Sequence, residues 1–121
     1  MHIEDFHEYC VQKAGVEESF PFGPETLVFK VGGKIFALTA LDGGSFRVNL
    51  KCDPVRAQEL RSTYPEIAPG YHMNKTHWNT VDFEGELPES LLRELIDHSY
   101  DLVLRSLPKA VRTMLNGRED F

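Results

Sequence analysis

Cysteine is scarce: two in 121 residues, too few for a disulfide framework and in keeping with a reducing compartment. Long apolar runs are missing too, and none approaches the roughly 18–20 residues that cross a bilayer. The opening residues, Met1-His2-Ile3-Glu4-Asp5, lack the basic start of a secretory signal, so a cytoplasmic protein is expected. Positive charge is in deficit, with 13 Lys and Arg against 19 Asp and Glu, a net charge of −6. That balance excludes a protein that coats nucleic acid by bulk charge. The P-loop, the dinucleotide glycine fingerprint, internal repeats and low-complexity stretches are absent as well.

What is present is globular. Hydrophobic residues make up 41% and aromatics 11%, which excludes a disordered chain, and the length predicts one domain over residues 1–121. Ile3, Phe6, Cys10, Val11 and Ala14 fall on one side of a 3.6-residue helix that Gly15 stops. Phe20-Pro21-Phe22-Gly23-Pro24 reads as an aromatic loop, because its prolines lack backbone donors. From Thr26 the period becomes two, with Leu27, Phe29 and Val31 alternating against Val28 and Lys30 before a Gly32-Gly33 turn. Residues 34–41 predict a second strand and 45–52 a third. In the third, Phe46, Val48, Leu50 and Cys52 face the core, and Ser45, Arg47, Asn49 and Lys51 face away.

Asp53-Pro54 predicts a helix start, running to about Tyr64 with Ala57, Leu60, Arg61 and Tyr64 inward. Residues 65–70 read as a turn-rich connection, and 71–73 and 78–83 as two short strands. Pro88 starts the longest helix, with Leu92, Leu95, Ile96, Ser99, Leu102 and Val103 as its buried stripe. Pro108 breaks or restarts it, Gly117 closes the last turns, and residues 117–121 are expected to fray. The order α-β-β-β-α-β-β-α predicts an α+β two-layer sandwich, an antiparallel sheet with the helices on one face.

Two longer segments carry more information. Arg47-Val48-Asn49-Leu50-Lys51-Cys52-Asp53-Pro54 resembles the third-strand-to-helix signature of the MmcQ/YjbR-like family. Tyr71-His72-Met73-Asn74-Lys75-Thr76-His77-Trp78-Asn79 resembles its second signature, and Phe20-Pro21-Phe22-Gly23 and Leu95-Ile96-Asp97-His98-Ser99-Tyr100 are similar as well. Thr76 departs from the pattern, since a second lysine is usual there. The resemblance implies a CyaY-like (frataxin-like) fold and a small bacterial cytoplasmic protein. It also implies DNA binding, by analogy with a double-wing phage transcription-factor domain. It brings no catalytic residues.

Charge patterning offers a site for that expectation. Residues 26–81 hold seven Lys and Arg against four carboxylates, a net +3, which leaves −9 on the rest of the chain. Alternation gathers Arg47, Asn49 and Lys51 on the outer sheet face with Lys30, and Val28, Thr39 or Ala37 between them. His72, Lys75, His77, Trp78 and Asn79 add donors and an aromatic plane. The expectation is Arg47, Lys51 and Lys75 on phosphates, with Asn49, Asn79, His77 and Trp78 nearest a base. So few phosphate contacts predict weak, salt-sensitive binding.

Other classes compete for the same residues. The outer face fits an unidentified protein partner equally, as in an adaptor module, with Phe20, Phe22 and Tyr71 along its edge. Glu94, His98 and Asp101 share one helical face near Asp97, and Glu4 and Glu8 are paired on the first helix. One helix rarely completes a coordination shell, however, and solvated Arg93–Asp97 and Asp101–Arg105 pairs account for that face. No metal and no other cofactor is therefore expected. Cys52 precedes a helix start but its strand phase points inward, Cys10 lies on an apolar stripe, and no partnered nucleophile is visible. No catalytic residue, no membrane contact and a monomer are expected.

Overall fold

The two periodicities resolve into ten elements in the computed structural model, which describes residues 1–119 and side chains as far as Leu115. In chain order they are α1 (Ile3–Val11), β1 (Val16–Ser19), β2 (Thr26–Val31), β3 (Lys34–Ala40), β4 (Arg47–Lys51), α2 (Pro54–Thr63), β5 (Ile67–Pro69), β6 (Trp78–Asp82), α3 (Glu89–Ser106) and α4 (Lys109–Glu119). The six strands form one antiparallel sheet in the order β1-β2-β3-β4-β6-β5. The class is α+β as predicted. One buried cluster joins the inner sheet face to Phe6 and Cys10 of α1, Ala57 and Leu60 of α2, the α3 stripe and Leu115 of α4. Phe6 sits at its centre, edge-on to Phe29, Phe46 and Phe83 with ring centroids 5.4–5.6 Å apart.

The register fixes what faces outward. Ser19, Val28, Leu38, Asn49, Thr80 and Ala68 form a row across all six strands on the side away from the helices. Val28 faces outward yet is fully buried between Ser19 and Leu38. Between β2 and β3 the pairing steps from Phe29–Ala37 to Lys30–Ile35, leaving Phe36 as a bulge residue. Ala37 and Thr39, expected among the outer basic groups, instead oppose Leu50 and Val48 on the buried face. Gly32 (φ 57°) takes the hairpin turn with Leu107 against it, and a Cβ there would lie 2.5 Å from a Leu107 methyl.

Three local expectations differ from the structure. β1 was not predicted: Val16-Glu17-Glu18-Ser19 is an edge strand, and its charged residues stay in water. The fifth strand is Ile67–Pro69, not residues 71–73, because two prolines disguise a short edge strand as a turn. α4 continues through Gly117 to Glu119, so that part of the expected frayed tail is helical, and residues 120–121 lie outside the described ones.

Four consecutive residues of α3 tie the layers together. Asp97 accepts from the Tyr9 hydroxyl (2.7 Å) and from Lys13 Nζ (2.5 Å), securing α1. His98 Nε2 accepts from the Asp53 N–H at 3.1 Å. Ser99 Oγ donates to the Phe36 carbonyl at the bulge (2.5 Å) and accepts from the Lys51 N–H (2.8 Å). The Tyr100 hydroxyl donates to the Ala14 carbonyl at 2.6 Å. Successive helical side chains stand 100° apart, so four in a row reach four different neighbours. Ser99→Ala leaves the Lys51 N–H without its acceptor, and urea unfolding is expected to show a loss of about 1–3 kcal/mol. The exposed Ser90→Ala is expected to stay within about 0.5 kcal/mol, and equal effects would refute the tether.

Candidate nucleic-acid interface

Where β4 leaves the sheet, three successive backbone amides are held by two other segments, α3 and the loop before β6. Lys51 N–H donates to Ser99 Oγ, Cys52 N–H to the His77 carbonyl (2.8 Å), and Asp53 N–H to His98 Nε2. Asp53 in turn caps α2, its carboxylate accepting from the Arg56 N–H at 3.1 Å, with Pro54 in the first turn. The helix start therefore falls where the sequence predicted it. Lys51 is pinned on the outer face directly opposite Trp78 of β6.

The seven expected site residues do not form one cluster. Lys51, half-buried, and Trp78, half-exposed, are cross-strand neighbours, and Lys75 and His77 are exposed in the loop that leads into Trp78. Asn49 lies one row along, where its Oδ1 accepts from the Thr80 hydroxyl at 2.5 Å. Arg47 is outward but at the far end of β4, about 13 Å from Lys51 at strand rise. Its cross-strand partner is Asp82. Asn79 belongs to the other face altogether. It is 2% exposed, opposes Leu50, and its Oδ1 accepts from Arg61 Nε at 2.6 Å. As placed, it cannot reach a base. The same alternation that puts Trp78 outward puts Asn79 inward with Val81 and Phe83.

Register also divides the sheet by charge. Lys30, Lys34, Lys51 and Lys75 lie at the end that carries the β2–β3 turn, with Glu17 and Asp53 as the acids nearby. Glu25, Asp42, Glu66, Asp82 and Glu84 lie at the opposite end, with Arg47 alone among them. Among the described residues, the Lys and Arg side chains in ion pairs with carboxylates are Lys13, Arg56 and Arg93, in or next to the helices. The four lysines of the sheet's basic end have no such pair.

The loop between β5 and β6 is firmly held. Arg61, expected only to run its stem along the core, reaches from α2 to donate to Asn79 Oδ1, to the Trp78 carbonyl (3.1 Å) and to the Lys75 carbonyl. Gly70 is buried, and a Cβ there would stand 2.8 Å from Trp78 Cβ. Tyr71 N–H donates to Thr80 Oγ1 at 2.9 Å, and Lys75 Nζ to the Gly70 carbonyl at 3.0 Å, with two ammonium protons left for a ligand. His72 adopts a left-handed φ of 58°, a conformation that costs a non-glycine residue about 1 kcal/mol. Sequence reasoning missed Arg61 and Thr80 as positioning residues. Their partners are backbone or cross-strand atoms that no residue pattern displays.

The competing chemistries fare poorly. Glu94 is engaged by Arg56 and His98 by the Asp53 amide. Among the described residues no group of three His, Cys, Asp or Glu side chains is placed to hold a metal. The expected Arg93–Asp97 and Asp101–Arg105 pairs are replaced by Arg93–Glu89 and by Lys13–Asp97, since Asp97 turns to α1. Burial pushes the Cys10 thiol up to about 12 and the Cys52 thiol up to about 11, so both stay protonated and poorly nucleophilic.

Burial, aided by the Arg56 guanidinium, lowers the His98 pKa, which suits a neutral imidazole whose Nε2 accepts a hydrogen bond. A lowered pKa means that the folded state resists protonation. The stability it confers is complete above the ordinary histidine value near 6.5 and is lost as pH falls below it. His98→Gln offers an acceptor in a similar place without titrating. Unfolding curves between pH 7 and 5 are expected to fall more steeply for the parent than for the variant, and parallel curves would refute the assignment.

With this geometry established, comparison with known proteins is direct. The sequence profile of the YjbR family matches residues 11–102. Protein YbdF of Escherichia coli O157:H7 is 50% identical over 94 residues, covering 78% of this chain and 77% of its own. YjbR of Escherichia coli (strain K12) is 34% identical over 115 residues, covering 95% and 98%. The crystal structure of Deinococcus radiodurans protein DR2400 matches with a TM-score of 0.89 at 44% identity, over 94% of this chain and 87% of that one. A Pseudomonas syringae protein matches with a TM-score of 0.74 at 30% identity, over 85% and 99%. Sequence along nearly the whole chain and the arrangement of the sheet and helices agree, and the chain belongs to the YjbR family.

Proposed function

We propose that this protein is a cytoplasmic DNA-binding protein that contacts the phosphate backbone through the basic end of its outer sheet face. The observation that carries the reading is the gathering of Lys30, Lys51 and Lys75 at one end of the outer face beside Trp78, without carboxylate ion pairs among the described residues; Lys34 lies at the same end but pairs with Val31 of the buried face. Ammonium groups already neutralised by carboxylates gain little from a phosphate, whereas unpaired ones displace counterions from it. Lys51 and Lys75 supply the nearest charges and Trp78 a partly exposed aromatic surface. Arg47, surrounded by acids at the other end, is assigned a minor part.

The net charge of −6 keeps the affinity modest. Anisotropy titrations with labelled DNA at low salt are expected to saturate in the micromolar range, with a log–log salt slope of about −2 for two or three phosphate contacts. Lys51→Glu with Lys75→Glu is expected to abolish binding, and Arg47→Glu to weaken it no more than about threefold. Absence of saturable binding, or a larger effect of Arg47→Glu than of the double variant, would overturn the reading.

A further inference from the structure

Tyr71 and His72 stand out because their rings contribute nothing to the core. Tyr71 is 68% exposed, the largest exposure among the big apolar side chains described. Its ring lies against that of His72 with centroids 4.0 Å apart and the planes tilted by 51°, in a segment held by several hydrogen bonds. The Tyr71 N–H is fixed to Thr80 Oγ1, Thr80 to Asn49, and Gly70 packs against Trp78. The strained φ of His72 and the exposed phenol are both unfavourable for an isolated domain, and an anchored loop maintains them near Lys75 and, across Trp78, Lys51, neither of which forms a carboxylate ion pair among the described residues. A rigid aromatic plane next to ammonium groups matches a nucleobase joined to a phosphate. A duplex hides its base faces, so such a plane selects unpaired bases.

We infer that the exposed Tyr71 ring, buttressed by His72, is a stacking platform for an unpaired base of single-stranded DNA, with Lys51 and Lys75 holding the adjoining phosphates. The inference rests on the DNA-binding reading above and specifies its substrate. Stacking on one base is worth about a tenfold or greater gain in affinity. An oligothymidylate, the same strand in a duplex, and an abasic strand of equal length separate base stacking from phosphate contact.

The intact single strand is expected to bind at least about tenfold more tightly than the duplex or the abasic strand. Tyr71→Ala is expected to bring it down to the abasic level without shifting the melting temperature, and Tyr71→Phe to retain it. His72→Gly, which suits the left-handed backbone, is expected to hold or raise the melting temperature while weakening the intact strand alone. Phe22→Ala, exposed at the opposite end of the sheet, is the control that leaves all three affinities unchanged. Equal binding of all three probes would overturn the platform and leave the phosphate reading standing. Binding of none would overturn both.

Discussion

Much of this structure depends on the satisfaction of three successive backbone amides where the fourth strand becomes the second helix. A chain leaving a sheet exposes N–H groups that neither the ladder nor the coming helix can pair, and an unpaired buried amide costs about 1–3 kcal/mol. Here Lys51, Cys52 and Asp53 donate to Ser99, to the His77 carbonyl and to His98. Two of the acceptors belong to α3, and the third to the loop entering β6. The same three bonds therefore fix the height of α3 over the sheet, the start of α2 and the alignment of the Trp78 strand with Lys51.

The surface follows from that alignment. Once Lys51 opposes Trp78, antiparallel pairing puts Arg47 opposite Asp82, and the two ends of the outer face acquire opposite character. Arg61 adds the second restraint, holding Asn79 and the carbonyls of Lys75 and Trp78 from the helical side. The loop that carries Tyr71, His72, Lys75 and His77 is thus bounded by α2 on one side and by Thr80 on the other. Preorganisation of this kind lets a site with few charges hold a ligand, because little entropy remains to be lost on binding. A chain at net −6 has no surplus of charge with which to compensate for a floppy site.

The sequence makes the interior legible wherever one side of an element is buried. Phe6 and Cys10 of α1, the α3 stripe, the alternation of β2 and β4, and the Asp53-Pro54 helix start appear in the structure because burial imposes their periods, whereas Val11 of the expected α1 stripe is exposed and Ala14 lies past the helix end. Edge elements escape this logic: β1 has a single apolar residue and β5 two others beside a proline, so neither shows a half-buried pattern. Asn79 was readable, since Val81 and Phe83 share its parity, but its polarity suggested an exposed site. Pairing partners were not readable at all. Asp97 turns to Tyr9 and Lys13, Arg61 to Asn79, and Arg47 pairs across strands with Asp82, at separations of 18 to 88 residues in sequence that no local pattern encodes.

The central claim is spatial: one end of one sheet face, with the loop beside it, is where nucleic acid meets this protein. Mapping backbone amide shifts by NMR during titration with a short single-stranded oligonucleotide tests it most directly. The expected result is a contiguous set of saturable shifts at Lys51, from Tyr71 to Trp78, and at Lys30, with Asp42, Asp82 and Glu84 unmoved. Shifts concentrated at the acidic end or on the outer surfaces of the helices, or none at all, would contradict the account.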